Sequence, residues 1–451
     1  MLKTAGFSVV KELINHREPR EITLQRLTRR KIMKKTALLF IFLYSFATLA
    51  QVSQNSVKLS PAEQGMAAAR RLIEKNPKNF EAYNALALAL SRRARETSDV
   101  AFYAQAQDAL GKSFEISPEN FDGERTAVWL LLGRHEFPAA LEKAKELNKK
   151  APDDVMLYGF LTDANVEIGN YDDAEKAAQW MLDLRPGNLP GTTRAAYLRE
   201  LFGDIDGSVE LMNMAYQSTP PSEAEDRAWI LSQIGHLQLT SGKNSDAETS
   251  LQQALAIFPG YHYALQNLAK VRIEQKRYQD AVNLLQQRYD AAKHAENLYD
   301  LAEALELVGR VDEAQKAFAE FETKSLAESI LKDNSDRELI FYYADHSRQP
   351  AKALEIANQE FAWRHDVFTL DAYAWALHVN GRDAEALKNI QTALAVGIRD
   401  AKILRHAGEI ALAAGNRAAA ERYLNESSQL NAPGSKRARE LLATLFRISQ
   451  N

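Results

Sequence analysis

The sequence contains no cysteine among its 451 residues. Disulfide bonds, thiolate metal sites and cysteine nucleophiles are therefore excluded. Long apolar runs are also missing, because the most apolar segment, Ala37–Phe46, is shorter than the roughly 20 residues that a transmembrane helix needs. The composition is 46% hydrophobic, which is ample for a large core without covalent cross-links.

Recognisable catalytic motifs are absent as well. His135-Glu136 lacks the second histidine of a zinc-protease helix, and the sequence has neither a GxSxG nucleophile motif nor a glycine-rich phosphate loop. The nine histidines are scattered along the chain. We therefore predict a protein that is not an enzyme and that has no catalytic residue, no metal site and no cofactor.

Charge is distributed unevenly. Residues 1–50 hold ten Lys/Arg and three Asp/Glu, whereas the rest of the chain holds 46 Lys/Arg against 57 Asp/Glu. An acidic body does not attract phosphate backbones, so nucleic acid is a disfavoured partner.

The segment at residues 33–50 resembles a secretory signal peptide. Met33-Lys34-Lys35 precedes an apolar stretch, and Thr48-Leu49-Ala50 offers small residues for cleavage before Gln51. This pattern predicts export to a bacterial periplasm, with no stable membrane span after cleavage. The alternative is a membrane-anchored form that keeps the segment uncleaved.

Two short regions flank this segment. Residues 1–32 are basic and do not repeat, so we interpret them as a non-conforming extension, with translation starting at Met33. The alternative interpretation is a cytoplasmic tail. Residues 51–60 are polar and predict a linker.

The remainder of the chain repeats. Pro118, Pro152, Pro186 and Pro220 follow one another at intervals of 34 residues. A small residue recurs at about the same interval, at Ala106, Ala140, Ala174, Ser208, Ala247, Ala281, Ala314, Ala353, Ala386 and Ala420. A small side chain allows two helices to cross closely, and this period is typical of a helical solenoid.

One unit, Val155–Pro186, shows the pattern within a repeat. Apolar residues recur at helical spacing on both sides of Gly169-Asn170, which predicts two amphipathic helices joined by a tight turn. The unit resembles a tetratricopeptide repeat, whose pattern is matched here by Tyr158, Leu161, Gly169, Tyr171, Ala174 and Pro186. A second unit matches it with Leu231, Ile234-Gly235, Gly242, Ala247, Leu251, Ala254 and Pro259.

The resemblance implies the fold. It implies an all-α, right-handed superhelical solenoid of about ten antiparallel helix-turn-helix repeats over residues 61–448. Ser60-Pro61-Ala62-Glu63 predicts a capping-box start for a capping helix at about 61–75, and Lys436–Ile448 predicts a C-terminal capping helix.

Several stretches depart from the regular period. An insertion at residues 91–100 lengthens the first hairpin, and extra residues occur near 220–228 and 323–336, where we expect bends. The hairpin at 337–361 lacks both the turn glycine and the closing proline.

In solenoids of this family the first helix of each repeat lines the concave groove. The phase of the repeat then predicts the candidate ligand contacts Asp163, Tyr197, Trp229, His236, Tyr263, Lys270, Tyr299, Glu303, Phe368, Trp375, His378 and Arg405. Aromatic residues with interspersed charge suit peptide capture. The predicted function is a protein- or peptide-binding scaffold serving assembly of an envelope or secretion complex. The alternative is a saccharide- or small-molecule-binding solenoid in the cell envelope.

Overall fold

The computed structural model of the chain describes residues 59–328 and 336–448. The predicted extension, the signal peptide and nearly all of the linker lie outside these residues and stay predictions. In the part of the chain that the structure describes, every regular element is helical, and no helix is both long and apolar enough to cross a membrane.

The described residues form 22 α-helices. The first eleven are α1 Pro61–Lys75, α2 Phe80–Thr97, α3 Ala101–Ile116, α4 Phe121–Gly133, α5 Phe137–Lys150, α6 Val155–Glu167, α7 Tyr171–Leu184, α8 Leu189–Leu201, α9 Ile205–Ser218, α10 Ala224–Thr240 and α11 Asn244–Ile257. The others are α12 His262–Glu274, α13 Tyr278–Ala291, α14 Ala295–Leu307, α15 Val311–Glu328, α16 Asp336–Phe341, α17 Pro350–Phe361, α18 Val367–Val379, α19 Asp383–Val396, α20 Ala401–Ala413, α21 Arg417–Leu430 and α22 Ser435–Ile448. A π-helical turn, Tyr342–His346, follows α16.

These helices pair into ten consecutive hairpins, from α2/α3 to α20/α21. Each hairpin also packs on the next one, so the chain is a stack of two-helix repeats. Helix α1 packs on α2 at one end, and α22 packs on α21 at the other. The predicted all-α solenoid with a capping helix at each end is confirmed.

Local signals fix where the helices begin. The Ser60 hydroxyl accepts a hydrogen bond from the Glu63 backbone N–H at 3.2 Å, and the Glu63 carboxylate accepts one from the Ser60 N–H at 2.8 Å. This is the predicted capping box, and it satisfies donors that the first helical turn leaves free. At α6 the Asp154 carboxylate caps in the same way, by accepting from the Met156 N–H at 2.8 Å.

The recurring small residues lie where the two helices of a hairpin cross. All ten, from Ala106 to Ala420 and including Ser208, are fully buried. In two repeats the facing first helix also carries a glycine, and a Cβ at Gly235 or Gly408 would lie within 2.6 Å of the Cγ of a leucine on the second helix. The close crossing therefore explains the small residues that mark the period.

The irregular stretches alter particular helices. The insertion at 91–100 extends α2 to 18 residues, and the extra residues near 220–228 bring α10 to 17, against 13 in α4. The hairpin that lacks its turn glycine has the short helix α16, the π-helical turn and Arg348 at a positive φ of 51°.

A second coil of the solenoid lies against the first. The His365 N–H donates to the Glu167 carbonyl at 2.9 Å, and the Val367 N–H donates to the Tyr171 hydroxyl at 3.0 Å. Helices α6–α8 share one apolar cluster with helices α18–α21. Repeats whose contacting residues are 196 or 197 positions apart in sequence are therefore packed together, in addition to the contacts between sequence neighbours.

An ion cluster lies in this contact between the coils. The Arg364 guanidinium lies 2.8 Å from the Glu167 carboxylate and 2.9 Å from that of Asp366, with Glu360 at 3.6 Å. Burial alone would raise the pKa of Asp366, but Arg364 and Arg337 hold it below its ordinary value. Burial raises the pKa of Glu167 and of Glu360, and the positive charge of Arg364 opposes both rises.

Candidate functional site

The first helices of five consecutive hairpins line one cavity with a volume of 530 Å³. We call it the groove cavity; its walls come from α2, α4, α6, α8 and α10. Aromatic residues dominate one part of the lining, at Trp129, Phe160, Tyr197 and Trp229. The phase of the repeat therefore identifies which helix of each hairpin faces inward.

Three predicted contacts, Asp163, Tyr197 and Trp229, line the groove cavity together. The Asp163 carboxylate pairs with Arg194, whose Nε lies 2.7 Å from it and 3.1 Å from the Gly159 carbonyl oxygen. Because this arginine and this carboxylate satisfy each other, the cavity offers incoming groups mainly apolar and aromatic surface.

A second cavity of 420 Å³ lies between α12, α14 and the π-helical turn, and we call it the acidic cavity. Its lining includes two more predicted contacts, Lys270 and Glu303. Burial alone would raise the pKa of Glu303, but His346 at 3.6 Å and Lys402 lower it. Lys270 and Glu303 are thus separated from the aromatic contacts of the groove cavity.

Two other predicted contacts, Tyr299 and Trp375, have buried side chains. Tyr299 is 6% exposed and packs edge-on to Phe318 and against His346. Trp375 is 7% exposed, stacks on His406 at 4.1 Å and donates from Nε1 to Asp345 at 2.9 Å. The π-helical turn supplies His346 beside the Tyr299 ring and Asp345 as the acceptor for the Trp375 N–H.

The remaining five predicted contacts lie outside the linings of both cavities. His236 pairs with Glu200 at 2.9 Å, His378 pairs with Asp383 at 2.6 Å, and Arg405 pairs with Glu409. Phe368 packs at the edge of the apolar cluster that joins the two coils. The Tyr263 ring lies 4.0 Å from that of His262, and burial raises the pKa of its hydroxyl to about 12. The phase of the repeat thus selects residues on one face of the first helices, but these residues do not all line the same cavity.

Sequence reasoning missed a set of ion pairs that connect α2 with α10 beside the groove cavity. Arg92 Nη2 lies 2.6 Å from the Glu223 carboxylate and 3.2 Å from that of Asp226, while Arg95 Nη2 lies 2.7 Å from Asp226 and also pairs with Glu225. We call these five residues the clasp. The signal was present in the sequence, because both sides of the clasp come from stretches that break the regular period.

The next hairpin supports the clasp. The Tyr261 hydroxyl donates to the buried Glu225 carboxylate at 2.7 Å, and His262 Nε2 donates to the Arg95 carbonyl at 2.8 Å. Burial raises the pKa of Glu225, and the positive charge of Arg95 opposes this rise. Burial, with Arg288 nearby, lowers the pKa of His262 to about 4, so this imidazole is neutral near pH 7.

The pKa of His262 predicts how stability depends on pH. Burial lowers the pKa of His262 in the folded state from 6.5 to about 4. The contribution of neutral His262 to the free energy of unfolding is therefore complete above pH 6.5 and is lost as pH falls through 4. Its full size is about 3 kcal/mol at 1.36 kcal/mol per pKa unit. We expect His262→Gln, whose amide can donate to the same carbonyl, to lose less free energy of unfolding between pH 7 and pH 4 than the unchanged chain. Urea titrations at the two pH values measure this, and parallel losses would contradict it.

No group of His, Asp and Glu side chains in residues 59–328 and 336–448 is arranged to hold a metal ion.

The fold and the lining of the groove define a class, the helical-hairpin solenoids with a ligand-sized concave surface. Residues 238–290 match the family model of the tetratricopeptide repeat. This match falls within α10 to α13 and agrees with the resemblance of the units to tetratricopeptide repeats.

Three solved structures that align with this chain are distant from it in sequence. The type IV pilus biogenesis factor PilW is 14% identical with a TM-score of 0.39, and the match covers 45% of this chain and 92% of PilW. The Cut9–Hcn1 hetero-tetramer of the APC/C is 15% identical with a TM-score of 0.47, covering 76% of this chain and 58% of that chain. Human IFIT1, solved as a dimer with PPP-AAAA, is 13% identical with a TM-score of 0.46, and the match covers 83% of this chain and 96% of that chain. The comparison with curated proteins gave no match.

Proposed function

We propose that the protein is a non-enzymatic scaffold that binds a protein or peptide partner in its groove. The observation that supports this most is the convergence of five first helices on one aromatic-walled cavity. Its volume of 530 Å³ falls in the range of about 300–1,000 Å³ that is typical of ligand pockets. Large aromatic side chains at the centre of an interface supply much of the binding energy of protein complexes.

The lining also favours a class of partner segment. Arg194 pairs with Asp163, and Arg92 and Arg95 pair with Asp226, so the charged groups of the cavity compensate one another. An incoming segment therefore gains most by burying aromatic or aliphatic side chains against Trp129 and Trp229. The proposed partner presents such side chains on an extended segment.

The setting of this function is a further part of the proposal. The signal-peptide pattern at residues 33–50 supports export to a bacterial periplasm, where the scaffold serves assembly of an envelope or secretion complex. Mass spectrometry of the protein purified from its native host tests export, with Gln51 as the expected first residue. A product that retains Met1 would contradict cleavage.

Partner capture from an envelope extract tests binding in the groove. The bait is the purified chain, compared with a Trp229→Ala variant in the groove cavity and a Trp180→Ala variant on α7. Trp180 is a matched control because it is 53% exposed and absent from the lining of the cavity. We expect one partner that is lost with Trp229→Ala and kept with Trp180→Ala. Equal retention or equal loss with both variants would contradict binding in the groove.

A saccharide or other small molecule is the second candidate ligand. The flat rings of Trp129, Tyr197 and Trp229 in the cavity favour it, since aromatic faces stack on sugar rings. Glycan-array binding that is lost with Trp229→Ala would support this candidate against the peptide.

A further inference from the structure

The clasp connects the first and the fifth hairpins, which are the two ends of the group of helices around the groove cavity. Arg92, Arg95 and Asp226 are at once members of the clasp and part of the lining of the cavity. When the clasp is closed, α2 and α10 are held together and the five lining helices enclose the cavity between them. Access to the aromatic walls therefore depends on the same residues that form these ion pairs.

Both sides of the clasp come from departures from the regular period. The arginines lie in the insertion that extends the C-terminal end of α2, and the carboxylates lie in the extra residues at the N-terminal end of α10. Each charge also suits its position, because a helix C-terminus favours cations and an N-terminus favours anions. The two longest helices among the five that line the cavity thus meet through their added turns.

The contact is polar, and within it Glu225 is buried whereas the other four side chains are partly exposed. The side chains of Arg92, Arg95 and Asp226 are between 27% and 31% exposed. The apolar cluster of α1–α4 and that of α8–α12 are separate, so no common core joins the two sides. In addition, the Nε atoms of Arg92 and Arg95 are buried without a hydrogen-bond partner. Parting the clasp breaks ion pairs and the hydrogen bond from His262 but no shared apolar core, whereas the coil-on-coil contact includes a shared apolar cluster.

We propose that the clasp is a gate on the groove cavity, and that α2 parts from α10 to admit the partner segment. This inference rests on the proposed function, since it concerns access to the same cavity. Closed, the gate shields Trp129 and Trp229 from unspecific apolar contacts. Open, it widens the groove so that an extended segment can enter from the side.

A single reactive thiol inside the cavity tests the gate without any partner. The chain has no cysteine, so Thr193→Cys places one thiol among the residues that line the cavity. The measurement is the rate of labelling by a maleimide coupled to a polyethylene glycol chain, divided by the rate with N-ethylmaleimide. The small reagent reports the reactivity of the thiol, and the large one reports how wide the opening is.

Three variants are compared in the Thr193→Cys background. Arg92→Glu places a carboxylate opposite Glu223 and Asp226 and should raise the ratio about tenfold, which corresponds to ~1.4 kcal/mol of lost ion pairing. Lys112→Glu reverses a charge on the neighbouring helix α3 outside the clasp and should leave the ratio unchanged, because Lys112 pairs with Glu115 on its own helix. Arg92→Glu combined with Glu223→Arg restores an opposite pair and should bring the ratio back toward its starting value.

Salt supplies a second measurement on the unaltered clasp. Since the pairs are partly exposed, added sodium chloride should raise the ratio in the Thr193→Cys chain. A ratio that responds neither to salt nor to Arg92→Glu would overturn the gate. A rise that Lys112→Glu reproduces would also overturn it, because the effect would then be general loosening. Either result leaves partner capture unaffected, so the gate and the proposed function fail separately.

Discussion

Replacing Arg364 with alanine is expected to lower the free energy of unfolding by about 3–5 kcal/mol, the usual cost of removing one partner of a buried ion pair. The Arg364 side chain is 8% exposed, and the carboxylates of Glu360 and Asp366 beside it are 3% and 4% exposed. Without the guanidinium, these carboxylates and that of Glu167 lose the cation nearest to them. Urea denaturation followed by far-UV circular dichroism measures the change.

Arg382→Ala is the matched control for this substitution. Arg382 also pairs with a carboxylate, that of Glu385, but its side chain is 42% exposed and the pair lies within one helical turn. Its removal should cost much less than that of Arg364, because exposed ion pairs contribute little to stability. Adding Glu167→Gln to Arg364→Ala should recover part of the loss, because a neutral amide needs no cation. Equal costs for Arg364→Ala and Arg382→Ala would show that the cluster does not stabilise the contact between the coils.

The repeats could be predicted from sequence because their causes are local. Close helix crossings require small residues such as Ala174 and Ala281, and a small residue therefore recurs at the same position in every unit. The capping box at Ser60 is equally local, since it needs only residues within one helical turn. These features follow from a few neighbouring positions, so one chain is enough to identify them.

The candidate site was predictable in part. The phase identifies the inward-facing helices, and Asp163, Tyr197 and Trp229 do line one cavity. It does not show what covers a given face, and the irregular hairpin of α16 buries Tyr299 and Trp375 with its π-helical turn. The repeat pattern is therefore least informative about exposure at the hairpin that fits it worst.

Contacts between coils could not be predicted, because they depend on how far the superhelix advances per repeat. A small change in the angle between hairpins accumulates over five or six repeats. It decides whether Gly203, in the turn after α8, contacts Gly397, just after α19, or faces solvent. The clasp depends on the same geometry. The sequence nevertheless marks both of its sides as irregular stretches, one with arginines and the other with carboxylates.

Gly203→Ala is expected to destabilise the chain much more than Gly309→Ala. Both glycines end a hairpin turn at a similar positive φ, 82° and 77°, so alanine costs roughly 1–2 kcal/mol of backbone strain at either position. A Cβ at Gly203 would also lie 2.6 Å from the Gly397 carbonyl oxygen, whereas a Cβ at Gly309 would meet no atom within 4 Å. The forced separation of the coils should add about 1–3 kcal/mol. Urea denaturation of the two variants gives the difference directly.

A double-mutant cycle then tests whether the added cost belongs to the contact between the coils. A Cβ at Gly397 would lie 2.8 Å from the Phe202 carbonyl oxygen, on the opposite side of the same approach. Once Gly203→Ala has pushed the coils apart, Gly397→Ala should cost less than it does alone, and the two free-energy changes should not add. Gly309→Ala combined with Gly397→Ala should be additive, because Gly309 takes no part in this contact. Additivity in both pairs, with equal costs at Gly203 and Gly309, would mean that the two coils are not in contact in solution.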